Sequence, residues 1–242
     1  MVTEPDSETV VLRDSWLAPP DLRAASQAQR EIAEAAEQAD RLDPVAIVAG
    51  VDVSMRWRDT RGPVHAAIAP LRWPERTALP ARAVTEIPRI PYVPGYLGFR
   101  EVPALATVWR QLPEKPQLVL VDGHGRAHPR RCGIAVQLGV VLDVPTIGVG
   151  KSILCGKPEG VLGESIGDRV PLIDRGEQIG VALRTRPRAR PVYVSIGHRV
   201  SLETAIKWVL ALSAGRRLPV TTHLAHDAAN AERVRHAGAS GA

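Results

Sequence analysis

The sequence is poor in aromatic residues and cysteine and has no long apolar run, and each scarcity excludes a class of protein. Its 242 residues include five Trp, three Tyr and one Phe, so aliphatic side chains must fill the core and an aromatic-rich β-sandwich is excluded. Two cysteines, Cys132 and Cys155, are too few for a disulfide framework or a four-cysteine zinc site. Without a run of about 18 uncharged apolar residues, no membrane-spanning helix is expected.

The remaining composition is that of a folded domain. Apolar residues make up 45% and charged residues of both signs 24%, which excludes intrinsic disorder. The net charge of +5 favours a polyanionic partner only weakly, because an arginine-rich, high-GC genome produces the same bias. Residues 1–10 are acidic and do not resemble a secretory signal. We therefore expect a cytoplasmic, reduced protein with an extension at residues 1–24, one domain at 25–228 and a flexible tail at 229–242, with fraying already expected from residue 221.

Hydrophobic periodicity predicts a mixed α/β fold. Helical spacing is found at Ser26–Leu42, after Arg100, from Pro129, and from Ser201 to Gly215. Strands are predicted at Ala46–Ser54, Val64–Leu71, Ala83–Ile87, Leu118–Val121, Val144–Val149, Gln178–Leu183 and Val192–Ile196. The first two strands flank a polar turn at residues 58–62 and indicate a hairpin. The element order predicts a mixed central sheet with helices on both faces.

Two aspartates interrupt or end apolar predicted strands. Asp52 lies between two valines, and Asp122 closes the run 118–121 and is followed by Gly-His-Gly. A carboxylate in a buried strand is costly unless it is paired or binds a metal ion. Either aspartate alone could cap a loop or pair with a basic residue. Two of them on adjacent central strands favour a divalent ion held between carboxylates.

The available ligand types favour magnesium at such a site. Mg²⁺ prefers oxygen ligands and keeps several waters, so two or three carboxylates are sufficient. Two such ions about 4 Å apart can activate water and stabilise the leaving oxygen in phosphodiester hydrolysis. The sequence has no CxxC or HExxH spacing. The segment 148–152 (GVGKS) is not a nucleotide-binding P-loop, because Pro145 stands where that motif requires glycine.

The window 89–101 (RIPYVPGYLGFRE) combines proline, glycine and aromatic residues. Two prolines bracket Tyr92 and Val93 and stiffen that tip, and rigid apolar side chains of this kind insert between stacked bases. An ordinary turn that packs Tyr92 against the body is the other interpretation. Glu101 falls near the start of a predicted helix, where a negative charge is favourable in any case.

Five segments, in order, resemble the endonuclease V family of deoxyinosine 3′ endonucleases. They are 50–54 (GVDVS), 91–101 (PYVPGYLGFRE), 121–130 (VDGHGRAHPR), 145–152 (PTIGVGKS) and 197–199 (GHR). The similarity covers the domain at 25–228. The resemblance implies a ribonuclease H-like fold and Mg²⁺-dependent cleavage, with Mn²⁺ as a substitute ion. The expected cut is at the second phosphodiester bond 3′ to a deaminated purine, hypoxanthine, and it leaves a 3′-hydroxyl and a 5′-phosphate.

The resemblance also implies roles for individual residues. The metal ligands would be Asp52, Asp122 and Glu101. Lys151 would lie beside the scissile phosphate and stabilise developing charge or orient the water. The wedge that fills the gap left by the flipped base would be Pro91, Tyr92, Val93 and Pro94. The hypoxanthine pocket would be lined by Leu97, Gly123, Gly125 and His128, where glycine lets the backbone approach the base.

Three further histidines, His226, His124 and His198, lie in or near the matching segments, and their roles are considered separately. His226 matches a family position near the metal site that is not always His, and we include it among the catalytic residues. The other interpretation is a surface histidine in a fraying tail. His124 occupies a position that the family also fills with glutamine, so it is not expected to be a ligand. His198 is expected either to brace the fold or to contact a backbone phosphate.

Four arginines alternate around Pro187 in a predicted loop: Arg184, Arg186, Arg188 and Arg190. We expect these arginines either to contact phosphate groups or to lie in an ordinary solvated turn.

The sequence therefore predicts a monomeric repair endonuclease for DNA that contains deoxyinosine, with no nucleotide cofactor and no membrane partner. Two alternatives remain open. One is cleavage of inosine-containing RNA by the same catalytic groups, since only the 2′-hydroxyl distinguishes the substrates. The other is a nucleic-acid-binding protein with a degenerate site, against which the complete set of Asp52, Glu101, Asp122 and Lys151 argues.

Overall fold

The computed structural model describes residues 13–56 and 59–239. Arg58 of the predicted hairpin turn and residues 1–12 of the expected extension lie outside these ranges. The helices of the described residues are α1 (Asp14–Leu17), α2 (Leu22–Ala35), α3 (Gly98–Gln111), α4 (Ile134–Leu142), α5 (Leu202–Ser213) and α6 (Val220–Ala239). The strands are β1 (Ile47–Ser54), β2 (Val64–Arg72), β3 (Thr77–Ala78), β4 (Arg82–Glu86), β5 (Leu118–Val121), β6 (Thr146–Gly150), β7 (Lys157–Pro158), β8 (Arg169–Asp174), β9 (Glu177–Leu183) and β10 (Val192–His198).

All ten strands form one mixed sheet in the order β3-β2-β1-β5-β6-β10-β9-β8-β7, and β4 also pairs with β2. The three central strands β1, β5 and β6 are parallel, while the outer pairs are antiparallel. The carboxyl ends of the parallel strands therefore meet at one edge of the sheet, where ligands bind in open α/β folds. Asp52 lies near the end of β1, and Asp122 and Lys151 directly follow β5 and β6.

Helices cover both faces of the sheet, as predicted. On one face, α3 and α4 pack on alternate residues of β1 and β5, including Ala49, Val51 and Val119. On the other face, α5 packs on Val48 and Leu120 of the same strands. The strands are nearly all apolar because both of their faces are buried. The α/β fold class is confirmed, and the arrangement agrees with the ribonuclease H-like fold that the resemblance implies.

The seven predicted strands are confirmed within a few residues, whereas β3, β7 and β8 were not predicted. Helix α2 begins earlier than expected, at Leu22, and two other helix boundaries differ by more. The helix predicted at Ser26–Leu42 ends at Ala35. Beyond it, the main-chain N–H of Glu37 donates to Nδ1 of His198 at 3.1 Å, and Asp40 accepts from the N–H of Ser201 at 2.6 Å. These contacts hold residues 36–40 against the start of α5, so the chain leaves the helix.

The helix predicted from Pro129 begins five residues later, at Ile134. Residues 128–131 form a turn in which the N–H of Arg131 donates to His128 O at 2.8 Å. A Cβ on the next glycine, Gly133, would lie 2.2 Å from His124 O. The chain must pass close to the 124–125 backbone before it can coil.

The expected extension and tail both belong to the fold where they are described. Trp16 of α1 packs on the core and its indole N–H donates to Glu31 at 3.1 Å. Residues 220–239, where fraying was expected from residue 221, form α6, which includes the start of the expected flexible tail at 229–242. Residues 240–242 of that tail lie outside the described ranges. Periodicity missed α6 because it packs through small residues, Ala225 and Ala229, rather than a continuous apolar stripe.

The approach of α6 to the sheet depends on Gly50 of β1. A Cβ at this position would lie 2.0 Å from Thr221 O in the first turn of α6. Only glycine therefore permits this helix to lie on the strand that carries Asp52. Among the described residues, no helix combines the length and the apolar character that crossing a membrane requires.

Candidate active site

A cavity of about 360 Å³ opens at the carboxyl edge of the parallel strands. Of the predicted site residues, it is lined by Asp52, Tyr92, Pro94, Leu97, Glu101, Asp122, Gly123, His128 and Lys151. Gly125 does not line it, because a Cβ there would lie 2.0 Å from Ile196 O; its N–H donates to Ser195 at 2.9 Å. Motifs that are far apart in the sequence thus meet around one space.

Asp52 is held by two hydrogen bonds at the end of β1. Its Oδ1 accepts from the N–H of Val53 at 2.8 Å, and its Oδ2 lies 2.7 Å from Nδ1 of His226. Burial raises the pKa of Asp52, the charge of Asp122 raises it further, and the hydrogen bond from His226 opposes the rise. His226 therefore contacts one of the predicted acids, and α6 is the element that brings it there.

Glu101 lies in the first turn of α3 and is only 8% exposed. Burial, followed by the charges of Asp52 and Asp122, raises the pKa of its carboxyl to about 8. The neighbouring Arg100 opposes this rise but does not cancel it. The three acids therefore lie close enough to raise one another's proton affinity in a largely buried region.

Lys151 forms an ion pair with Asp122 across the ends of β6 and β5. The Lys151 side chain is 43% exposed and that of Asp122 10% exposed, so the lysine lies on the solvent side of the pair at the cavity lining. Next to it, Gly150 lies under the ring of His124, since a Cβ there would be 2.4 Å from the ring. His124 thus packs on the end of the strand that carries Lys151. Within the described part of the chain, no hydrogen bond joins its ring to the three acids.

A chain of hydrogen bonds behind His226 was not anticipated from the sequence. Asn230, one turn further along α6, places its Nδ2 at 2.9 Å from Nε2 of His226. Its Oδ1 accepts from the hydroxyl of Ser54 at 2.8 Å, and Arg233 donates to that hydroxyl at 3.0 Å. The spacing of four residues between His226 and Asn230 was visible in the sequence, but it had no meaning without the helix.

The main chain of the predicted wedge is held by hydrogen bonds, whereas the ring of Tyr92 is partly exposed to solvent. The N–H of Tyr92 donates to Thr60 O at 2.8 Å, and the side chain is 44% exposed. The buried guanidinium of Arg100 donates to the same Thr60 carbonyl at 2.9 Å and to Ile90 O at 3.1 Å. The loop is therefore tied to the β1–β2 turn and to the base of α3. Pro91 and Val93 flank the ring but do not line the cavity.

Beside the wedge, helix α2 contributes a residue that the sequence did not reveal. Gln29, buried at 1% exposure, donates from Nε2 to Gly95 O at 2.9 Å. Arg130 donates to the same carbonyl at 2.8 Å and lies over the ring of Tyr96 at 4.3 Å. Two donors thus fix the loop that carries Pro94 and Leu97 against the cavity.

His128 lies at the floor of this part of the cavity as a neutral imidazole. Burial, followed by the charge of Arg130, lowers the pKa of His128 to about 4. Its Nδ1 accepts from the N–H of Arg130 at 3.2 Å. His198, by contrast, is buried, accepts from the N–H of Glu37 and does not line the cavity, which favours the expectation that it braces the fold.

The donor set suits a hard divalent ion, although the described residues do not form a finished metal centre. No group of three or more His, Cys, Asp or Glu side chains among residues 13–56 and 59–239 is already arranged to hold a metal ion. Asp122 is engaged by Lys151, and Asp52 by His226. Burial raises the pKa values of Asp52 and Glu101, and the charges of neighbouring carboxylates raise them further. A cation at this place would relieve that repulsion, and carboxylate oxygens are the ligands that Mg²⁺ prefers.

Comparison with known proteins identifies relatives over nearly the whole chain. The family model described as Endonuclease V matches residues 27–227. The endonuclease V of Rhodospirillum centenum is 50% identical over 222 residues, which cover 92% of each protein.

Solved structures give the same result. A crystal structure of endonuclease V from Streptomyces avermitilis matches with a TM-score of 0.85 at 34% identity, covering 94% of this chain and 98% of that one. A second match is Ciona intestinalis endonuclease V in complex with a 24mer DNA that contains an inosine followed by a ribo-adenosine. It has a TM-score of 0.76 at 28% identity and covers 89% of this chain and 99% of that one.

Proposed function

The chain belongs to the endonuclease V family, and we propose that it incises DNA containing deoxyinosine, the product of adenine deamination. The cut falls at the second phosphodiester bond 3′ to the lesion and leaves a 3′-hydroxyl and a 5′-phosphate. The observation that carries this proposal is the meeting of three carboxyl groups and one lysine at the rim of a cavity beside an exposed tyrosine. Such an enzyme nicks the strand beside the deaminated purine and so opens the way for later removal of the lesion. We place this reaction in the cytoplasm.

Asp52, Asp122 and Glu101 are the residues that would hold Mg²⁺, with Mn²⁺ as the substitute ion. When bound, the ion supplies charge stabilisation at the phosphate and a more acidic water. His226 fixes the orientation of Asp52 through the 2.7 Å contact between its Nδ1 and Oδ2. Lys151, which pairs with Asp122 and lines the cavity, supplies positive charge to the non-bridging oxygens of the scissile phosphate.

The lesion is recognised in the part of the cavity that is lined by Leu97, Gly123 and His128. The flipped base enters the cavity beside Leu97 and Gly123 and contacts the neutral ring of His128. Because Nδ1 of the uncharged imidazole accepts from the N–H of Arg130, the ring proton lies on Nε2, which can donate to the base edge. Tyr92, whose main chain is fixed by Thr60, fills the gap that the base leaves in the duplex.

An incision assay on matched oligonucleotides tests the proposed function. Duplexes with deoxyinosine or deoxyadenosine at one position are incubated with Mg²⁺ or with EDTA. We expect one cut, 3′ to the lesion, with Mg²⁺ only. Asp122→Ala should abolish it, whereas the control Asp43→Ala, at an exposed aspartate before β1, should retain it. Cutting in EDTA or by Asp122→Ala would overturn the mechanism.

Inosine-containing RNA is the second substrate to be tested, since the Ciona intestinalis complex includes a ribonucleotide after the inosine. The same catalytic groups serve either strand, and only contacts to the 2′-hydroxyl separate them. A ratio of kcat/KM values for the RNA and DNA forms of one sequence assigns the preferred substrate. Binding without cutting of either form would instead support a non-catalytic nucleic-acid-binding protein.

A further inference from the structure

The loop between β9 and β10, residues 184–191, carries three exposed arginine side chains and is called the arginine loop below. The side chains of Arg186, Arg188 and Arg190 are exposed, and no hydrogen bond or ion pair joins them to any other residue in the described ranges. Arg184 differs from them, because its guanidinium donates to Gly163 O at 3.0 Å and to Ala189 O. Arg184 therefore shapes the loop. The four arginines are not equivalent, contrary to what the sequence suggested, since only Arg186, Arg188 and Arg190 lack a side-chain partner among the described residues.

A fifth arginine joins this loop to the strand end that carries Lys151. Arg217 donates from Nε to Arg190 O at 3.0 Å and from Nη2 to Pro191 O at 3.1 Å. The same Nη2 donates to Lys151 O at 2.8 Å. The register of the sheet agrees, since Tyr193 of β10 pairs with Gly150 of β6. The arginine loop thus lies directly beside the lysine that lines the cavity.

The order of strands in the sheet shows on which side of the active site the arginine loop lies. Along the sheet edge, the anchored wedge lies next to the β1–β2 turn. Asp52, Asp122 and Lys151 follow on β1, β5 and β6, and the arginine loop comes last at β10. Neighbouring strands are about 4.8 Å apart, so the loop begins about 15 Å beyond the strand of Asp52. The wedge and the arginines therefore lie on opposite sides of the acids.

From this order we propose that Arg186, Arg188 and Arg190 bind the phosphodiester backbone of the substrate on the 3′ side of the cleaved bond. The inference rests on the proposed function, because the wedge marks the lesion and Lys151 marks the scissile phosphate. A strand that passes from the wedge across the acids continues onto the loop. Guanidinium groups match phosphate oxygens with paired hydrogen bonds, and these three have no partner to give up among residues 13–56 and 59–239.

The salt dependence of binding tests whether the loop contacts phosphates. Binding of a deoxyinosine duplex is measured in EDTA over a range of KCl concentrations for Arg186→Gln/Arg188→Gln. The matched control is Arg72→Gln/Arg110→Gln, at exposed arginines near the opposite edge of the sheet. We expect the slope of log K against log[KCl] to lose about 2 in magnitude and affinity to fall at least about tenfold in the loop variant. The control should keep the wild-type slope.

The length of the substrate arms tests which side of the cut the loop contacts. With a long 3′ arm, the loop variant should show a raised KM relative to the wild type. With the 3′ arm cut back to the nucleotide after the cleaved bond, the two proteins should have the same KM. Shortening the 5′ arm should leave their difference unchanged.

An unchanged salt slope in the loop variant, or a defect that follows the 5′ arm, overturns the inference. These results differ from failure of the proposed function, in which the wild-type protein itself does not incise the deoxyinosine duplex. Thermal unfolding of both double variants shows whether any loss of affinity comes from the fold. An equal loss in the loop variant and the control would also count against the loop, since it would reflect total charge alone.

Discussion

Asn230 donates a hydrogen bond to Nε2 of His226, and this contact determines which tautomer of the histidine faces Asp52. The amide is itself oriented, because its oxygen accepts from Ser54. With Nε2 acting as an acceptor, the ring proton lies on Nδ1 and points at Oδ2 of Asp52. The contact turns a partly exposed histidine on α6 into a fixed partner of a buried carboxylate.

Replacing Asn230 by Ala should lower incision about tenfold, the usual scale for losing a residue that orients a functional ligand. The variant frees Nε2 of His226, so the ring can rotate away from Asp52. The measurement is the initial incision rate as a function of Mg²⁺ concentration. His223→Ala, at an exposed position on the same helix, is the control. Identical Mg²⁺ curves for Asn230→Ala and the wild type would show that the contact is unimportant.

Replacing Lys151 by Met should lower the single-turnover rate of incision about 100-fold, because it removes the positive charge beside the scissile phosphate. The stem of the side chain is retained, so packing against the cavity is preserved. Binding of the deoxyinosine duplex should change much less than the rate. Lys157→Met, at an exposed position of β7, controls for loss of one charge. A variant that binds weakly yet cuts at the wild-type rate would contradict this role.

Replacing Tyr92 by Ala should remove most of the preference for the lesion. The main-chain hydrogen bond to Thr60 does not depend on the ring, so the loop should keep its position. Stacking of one aromatic ring on bases is worth about 1–3 kcal/mol, which corresponds to roughly tenfold or more in affinity. The test compares dissociation constants for deoxyinosine and deoxyadenosine duplexes. Tyr92→Phe retains the ring and should behave as the wild type; if it fails equally, the hydroxyl rather than stacking is responsible.

The neutral state of His128 predicts a loss of stability in acid. Its pKa falls from the ordinary 6.5 to about 4 in the folded protein, so between these values the unfolded chain binds more protons than the folded one. The free energy of unfolding therefore rises with pH over this window, and it falls by roughly 3 kcal/mol as the pH is lowered from 6.5 through 4. Denaturant unfolding between pH 4 and pH 7 measures this slope.

In the His128→Asn variant the corresponding part of the slope should disappear, because asparagine does not titrate. Other buried groups contribute to acid unfolding, so the informative quantity is the difference between the variant and the wild type. His223→Asn is the matched control, since that histidine is exposed. A difference curve that is flat from pH 4 to pH 7 would mean that His128 does not stay neutral in the folded protein.

The amino-acid sequence by itself determined the central strands of the sheet and the acids at their ends. A short apolar run such as 118–121, bounded by turn residues, is typical of a strand covered on both faces, and an acid that closes it lies at the sheet edge. The prolines around Tyr92 restrict the backbone locally and predict a stiff tip, whose role as a wedge came from the resemblance to the family. These signals are carried by neighbouring residues, so they need no knowledge of distant parts of the chain.

Only the tertiary structure decided which distant side chains support the site. Helix α6 has little apolar periodicity, and it forms because Gly50 admits its backbone to the sheet. That docking brings His226 to Asp52 and thereby gives Asn230 a role. Gln29 and Arg217 likewise act through carbonyl groups of remote loops, at Gly95 and Lys151. Hydrogen bonds to main-chain oxygens leave no residue pattern in the sequence, because every residue offers the same acceptor.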